Sequence, residues 1–275
     1  MKPLLITSSA NPKVKDVLHL YEKRHRDATQ HFIVEGYREI LRALDAKTAL
    51  IQLFVCEELF LGSNEQALIE KATKQGAQII SCHESVFRKM SYRDRPDGLI
   101  AIAHAFEGTL TTIERAIEGV HSPLLVVAEA IEKPGNLGTI LRTSDAAGAH
   151  GVIVCDRCTD IYNPNVVRAS VGTLFTVPVA EASSNETVSW LRSRGIKMVA
   201  ATPHSPKNYF DVDLKGPIAI IVGAEQVGLS PLWLEQADIT VKIPMHGAAD
   251  SLNVAQATTI LLYEAVRQRA STDSL

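Results

Sequence analysis

The stretch PLLVVAEAIEKPGNLGTILRTSDAAG, residues 123–148, decides the reading of this chain. PLLVVA is an uninterrupted apolar run of strand length, and the glycine- and proline-bearing loop after it leads into a helix that carries Arg142. Further apolar runs follow toward the C-terminus: GVIVC, FTVPVA, KMVAAT, PIAIIVG and DITVKIP. Helical stretches near PNVVRASVG, NETVSWLRSRG, SPLWLEQ and NVAQATTILLYEAVRQR separate them. Six apolar strands with crossover helices predict an α/β domain with a mostly parallel sheet, flanked by helices on both faces.

Toward the N-terminus short β-branched runs alternate with helical stretches. HFIVEG, ALIQLFVC, AQIISC and GLIAIAHA read as strands, separated by EGYREILRAL, NEQALIEKATKQ and HESVFRKM as helices. From Asn11 to Arg26 the residues Val14, Val17, Leu18 and Tyr21 recur at helical spacing, with Ser9 or Asn11 as N-cap and Pro12 in the first turn. The expected organisation is a smaller α/β domain over residues 1–107, a linker at 108–122 feeding a helix, and the large α/β domain over 123–275.

Composition narrows the class. The 275 residues are 46% hydrophobic and 21% charged, which excludes disorder, collagen and coiled coil. No apolar run reaches the eighteen or so residues of a membrane helix, and MKPLLITSSANPK is too short for the core of a secretory signal, so a cytoplasmic protein is expected. Net charge is −3. The first 108 residues carry 15 basic against 14 acidic side chains and the remainder 13 against 17, so a polyanion would be met locally, by Lys13, Lys15, Lys23, Arg24 and Arg26. Of the four cysteines only Cys155 and Cys158 form a close pair, which reads as a strand cysteine plus a loop cysteine rather than half a zinc site. No metal is expected, since His204 and His246 belong to no spaced ligand set.

In an open α/β sheet, chemistry sits in loops at the carboxyl ends of strands. Three such loops are rich in glycine, proline and small polar residues: Glu129–Gly148, Val222–Ser230 and Ile243–Thr259. Neither GNLG nor GAEQVG satisfies the dinucleotide fingerprint, and no phosphate-binding GxxxxGK[ST] occurs. The glycines Gly135, Gly138, Gly223, Gly228 and Gly247 serve tight turns or let bare backbone approach a ligand.

Taken together, the three loops resemble the three motifs of the SpoU/TrmH family of RNA ribose methyltransferases. PGNLGTILRTSDAAG is similar to the first, with Asn136 and Arg142; IVGAEQVGLS to the second, with Glu225; IPMHGAADSLNVAQATTILLYE to the third, with Ser251 and Asn253. Tyr162–Val179 resembles a further family stretch, and residues 4–104 the family's ribosomal-protein-like substrate-binding domain. The chain departs from the family pattern at Glu129, Lys133, Ala224 and Ala255.

The resemblance implies a knotted (trefoil) domain, a homodimer with its active site at the interface, S-adenosylmethionine as cofactor, and methyl transfer to a ribose 2′-oxygen of rRNA or tRNA. It implies a catalytic set of Arg142, Asn136, Glu225, Ser251 and Asn253, with Arg142 as base or as electrostatic stabiliser. Asn136 would position the ribose or hold Arg142, and Glu225 would orient either. Cofactor contacts are expected from Val222, Gly223, Ala224, Gly228, Ile243, Met245, Leu252 and Asn253, and RNA contacts from Lys13, Lys15, Arg24, Arg38, Arg93 and Arg168. Ser251 and Asn253 each have a simpler reading as caps of the last helix, and Asn136 as a turn or cap residue. A non-catalytic RNA-binding or ribosome-assembly protein retaining the fold is the competing function; a nucleotide-dependent Rossmann enzyme lacks its phosphate fingerprint.

Overall fold

The structure, a computed structural model, describes residues 4–156 and 159–270. In chain order the elements are β1 (Leu4–Ile6), α1 (Pro12–His19), α2 (Lys23–Thr29), β2 (His31–Glu35), α3 (Tyr37–Asp45), β3 (Leu50–Val55), α4 (Glu65–Lys74), β4 (Gln78–Cys82), α5 (Glu84–Met90) and β5 (Leu99–His104). They continue with α6 (Leu110–Ala116), β6 (Leu124–Glu129), α7 (Pro134–Ala146), β7 (Gly151–Cys155), α8 (Pro164–Ala169), β8 (Val179–Ala182), α9 (Ser184–Ser193), β9 (Lys197–Ala201), β10 (Ile218–Val222), α10 (Pro231–Gln236), β11 (Ile239–Val241) and α11 (Val254–Ala270).

The chain packs as two units. The first comprises the residues up to Phe106 together with Asp160–Thr176; the second comprises Glu107–Thr159 and the residues from Val177 onward. Two features differ from the sequence boundaries. Residues 108–122 are no free linker: α6 buries Ile113 completely in the core of the second unit. Asp160–Thr176, read as part of the large domain, packs in the first unit, where the ring of Tyr162 lies 4.7 Å from that of Phe32 and Arg42 donates to the Val171 carbonyl. That packing is a tertiary choice, so no local pattern in the sequence marks it.

The first unit holds a mixed sheet in the order β1-β4-β3-β5-β2, with β1 and β3 parallel to β4 and with β5 antiparallel to both β3 and β2. The helix expected over Asn11–Arg26 is two helices. Asn11 accepts from the Lys13 amide as the cap of α1, the chain turns at Leu20, and α2 restarts at Lys23. Arg26 is the reason the break matters. It is only 4% exposed, bonds Asp160 at 2.8 and 2.9 Å, and donates to the Leu20 carbonyl across the break. A cation neutralised inside the fold meets no polyanion, so the sequence-based assignment of Arg26 to a basic surface is corrected.

The second unit holds six strands in the order β11-β9-β10-β6-β7-β8, and every pairing is parallel. β6, β7 and β10 are buried along their whole length, which is why they read as continuous apolar runs. One face carries a core of Leu125, Val127, Ile153, Ile221, Leu191 and Trp233, and the Trp233 indole donates to Ser184 at 2.9 Å. Cys155 ends β7 inside this layer; burial pushes its thiol up to about 12, the reverse of a reactive cysteine. Its sequence partner Cys158 lies outside the described residues. No helix among the described residues is long and apolar enough to cross a membrane.

Candidate active site

The three loops leave the carboxyl ends of β6, β10 and β11. The first begins at Glu129, whose carboxylate is 4% exposed and accepts the Ser230 amide at 2.8 Å. That bond ties the end of the first strand to the start of α10, and so closes the second loop. Helix α7 then starts with Pro134 in its first turn, where a missing N–H costs nothing. It buries Leu137, Ile140, Leu141 and Ser144. Arg142 lies on the exposed side, six residues or roughly 9 Å along the helix axis from Asn136. Among the described residues it has no hydrogen-bond or ion-pair partner.

Asn136 is neither a turn residue nor a cap, since the cap position of α7 is Lys133. The Asn136 amide nitrogen donates to Glu225 Oε1 in the second loop, and its oxygen accepts from Asn253 Nδ2 in the third at 3.1 Å. Asn253 Oδ1 in turn accepts the Ala255 amide at 3.0 Å, capping α11. One chain of side-chain bonds therefore joins all three loops. Of the two caps proposed for the last helix, Asn253 is the cap, and Ser251 is exposed two residues ahead of it. Thr143 and Thr259, 3.2 Å apart, hold α7 to α11. Glu225 orients Asn136 and leaves Arg142 unheld. Its other oxygen, Oε2, is buried without a partner among the described residues.

The second loop folds on itself. Gly228 sits at φ +70°, and its amide donates to Ala224 at 2.9 Å. A Cβ on Gly223 would fall 2.5 Å from the Gly228 backbone. Gly223 is thus required by closure of its own loop, a use that the sequence could not separate from approach to a ligand. Val222 and Ala224 are buried; Ile243, Met245 and Leu252 are half-buried; His246 to Ser251 are exposed. The structure brings Asn136, Glu225 and Asn253 into bonded contact, and it leaves Arg142 and Ser251 outside that network. Among the described residues no group of three or more His, Cys, Asp or Glu side chains is arranged to hold a metal ion.

In the first unit the expected RNA-contacting residues divide into two kinds. Lys15, Arg38 and Arg168 are exposed, Arg24 is exposed beside Glu22 at 2.7 Å, and Lys13 bonds Gln78 at 3.1 Å. Arg93 belongs elsewhere. Its guanidinium bonds Glu39 at 2.7 Å and the Glu35 carbonyl at 2.8 Å and faces Asp97, so it is an internal counter-ion and not a free surface cation. Burial raises the Glu39 carboxyl above its usual range even with Arg93 beside it. Sequence reasoning also passed over Tyr92 and Asn165. The exposed aromatic inside the charged run SYRDRPDG was the available signal for the first.

A six-stranded parallel sheet whose carboxyl-end loops are tied to one another by side chains, with an exposed arginine on the helix that leaves the first of them, defines an α/β enzyme domain with a composite polar site. The model of the SpoU rRNA Methylase family matches residues 123–263, and that of the MRM3-like substrate binding domain matches residues 11–101. The chain belongs to the SpoU rRNA methylase family. It is 30% identical over 258 residues to the 23S rRNA (guanosine(2553)-2′-O)-methyltransferase RlmP of Bacillus subtilis, covering 94% of this chain and 97% of that one. It is 34% identical over 222 residues to the 23S rRNA (guanosine-2′-O-)-methyltransferase RlmB of Ralstonia nicotianae, covering 78% and 88%. Among solved structures, the AdoMet-bound rRNA methyltransferase from Sinorhizobium meliloti superposes with a TM-score of 0.86 at 33% identity, covering 96% of this chain and 97% of that chain.

Proposed function

We propose that this chain transfers a methyl group from S-adenosylmethionine to a ribose 2′-hydroxyl of ribosomal RNA, at the three-loop site of the second unit. The observation that carries the reading is the bonded chain Asn253–Asn136–Glu225, which fixes three separated loops around one point while Arg142 remains exposed and without a counter-ion among the described residues.

The residues present suit the cofactor. Half-buried Ile243, Met245 and Leu252 offer apolar walls, the Gly223 to Gly228 turn offers main-chain groups, and the buried, unpartnered Oε2 of Glu225 awaits a donor. When bound, S-adenosylmethionine supplies a sulfonium methyl as electrophile. Arg142 grips the phosphate next to the acceptor ribose and stabilises negative charge growing on the 2′-oxygen as the hydroxyl proton is released to solvent water. A guanidinium is protonated at all working pH values, which favours this electrostatic role over that of a base. Asn136, held at both ends by Glu225 and Asn253, positions the ribose, and Ser251 contacts substrate from the third loop. Lys13, Lys15, Arg24 and Arg38 of the first unit hold RNA phosphates.

The third loop from His246 to Ser251, Val227 at 84% exposure and Tyr263 on α11 at 47% lie open. We assign their cover to a second copy of the chain, making the working enzyme a homodimer; a knotted second unit and a cytoplasmic location complete the reading. The test is transfer of labelled methyl to unmodified rRNA and tRNA pools. Transfer to rRNA, abolished in Arg142→Ala, is the expected result. Cofactor binding without transfer to any RNA would favour the non-catalytic alternative.

A further inference from the structure

We infer that Tyr92, Asn165 and Arg168, all in the first unit, form a stacking site for an unpaired base of the RNA substrate; the inference rests on the rRNA-methyltransferase reading above. Arg168 is exposed near the end of α8, and its guanidinium carbon lies 5.3 Å from the centre of the Tyr92 ring. Its Nη2 donates to Asn165 Oδ1 at 3.4 Å, and Asn165 Nδ2 donates to the Tyr92 hydroxyl at 2.9 Å. One asparagine thus spans from the tip of the tyrosine to the guanidinium that covers its ring. Tyr92 is 46% exposed, yet its position is fixed. Its ring stacks on Tyr21 with centroids 5.8 Å apart, its amide donates to Glu35 at 2.9 Å, and Tyr21 is itself anchored through its hydroxyl to the Met90 carbonyl at 2.6 Å.

Four other arginines of this unit are matched by carboxylates, whereas Arg168 is ordered by neutral groups alone. Arg26 and Arg93 are neutralised by buried carboxylates, Arg88 by Glu84 and Arg24 by Glu22. Arg168 has no carboxylate partner among the described residues. A surface arginine ordinarily spreads over many rotamers, and ordering it costs side-chain entropy. Here that ordering is already met by Asn165 and Tyr92, so the cation is held 5.3 Å from the centre of the tyrosine ring, within cation–π range. The crevice beneath, lined by Ile33, Glu35, Tyr92, Pro164 and Arg168, has about 10 Å3 of room and admits no base. The ligand must therefore lie on the outer face of the guanidinium. A planar cation held over an aromatic ring at cation–π distance and without a counter-ion among the described residues is suited to a nucleobase, which has a π-face and carries its own phosphate. Lys15, Arg38 and Arg95, exposed and without ion-pair partners among the described residues, add to the positive field of the same unit.

The test uses the full chain, in-vitro-transcribed 23S rRNA and labelled S-adenosylmethionine, with filter binding to the same RNA. Arg168→Ala and Tyr92→Ala are expected to raise KM and Kd for RNA about 10-fold or more, with kcat and cofactor affinity changed less than about two-fold. Arg168→Lys should fail to rescue, because an ammonium keeps the charge but not the plane. Rescue by lysine overturns the stacking site in favour of a point charge. Unchanged RNA affinity with a lowered melting temperature overturns it in favour of a tie that merely holds α8 in place. If the wild type transfers no methyl to rRNA, the enzymatic reading fails separately, and filter binding still decides this one: equal RNA affinity of wild type and Arg168→Ala overturns it.

Discussion

The two ends of the second unit's sheet treat charge in opposite ways. At the amino end, Arg269 of α11 gives its guanidinium to main-chain carbonyls of Ser122 and Gly216 at 2.7 Å and of Leu214 at 3.2 Å, and burial lowers its pKa. His150 there accepts the Leu124 amide on Nδ1 at 3.1 Å. At the carboxyl end Glu225 keeps a buried oxygen without a partner among the described residues, and Arg142, on the helix that leaves that end, has none either. The difference separates polar groups that hold the fold together from polar groups kept for a ligand. A cavity of about 580 Å3 does open at the amino end, beside Pro123, Ile196 and Pro217. It is lined by the Glu114–Arg194 ion pair together with Arg115, Glu118 and His121, so its acidic and basic side chains balance. Volume alone therefore marks the wrong end of the sheet; unmatched side chains mark the right one.

The largest effect should come from the free cation. Arg142→Ala is expected to lower methyl transfer about 10²–10³-fold or more, with melting temperature unchanged, since an exposed, unbonded side chain supports nothing. Transfer at wild-type speed would erase the distinction between the two ends. Arg269→Ala is the converse experiment. It strands several carbonyls and should cost about 2–4 kcal/mol in denaturant unfolding, with little change in kcat of the folded fraction. Next comes Asn253→Asp, which keeps the oxygen that caps α11 but loses the donor to Asn136. Stability should hold to within about 0.5 kcal/mol, as expected between good caps, while transfer falls about 10-fold. Equal losses in Asn253→Asp and Asn253→Ala would support the network; a loss only in the alanine variant would reduce Asn253 to a cap.

How much of this was legible in the sequence follows from the same physics. β6, β7 and β10 were readable because burial on both faces forces unbroken apolar runs, and the three loops because they sit where those runs stop. β1, three residues long, carries no period to read. The break between α1 and α2 was hidden because Val14, Val17 and Tyr21 keep helical spacing across it, while the interaction that fixes it, Arg26 with Asp160, joins residues 134 positions apart. Arg93 and Arg168 look alike in a charge count. Only the fold gives one of them carboxylates and the other a tyrosine face. Asn136 was found by its motif, but that its partners are Glu225 and Asn253, and not Arg142, required the three loops to be seen together.

The smallest effect tests the amino end from the side of pH. Burial holds the His150 imidazole below its ordinary pKa of 6.5, and Arg269 adds to the shift. In the folded chain the ring stays neutral at pH values where the unfolded chain has taken up a proton. Stability from this site is therefore complete above about pH 6.5 and is lost as pH falls from there toward the folded-state pKa. Unfolding midpoints measured between pH 7.5 and 5 should decline less steeply in His150→Asn, whose side-chain oxygen can accept the same amide but does not titrate. The same substitution should leave the pH dependence of methyl transfer unmoved, because the ring sits where charges are already spoken for. A shift in the transfer profile would couple the two ends of the sheet and break the contrast between them.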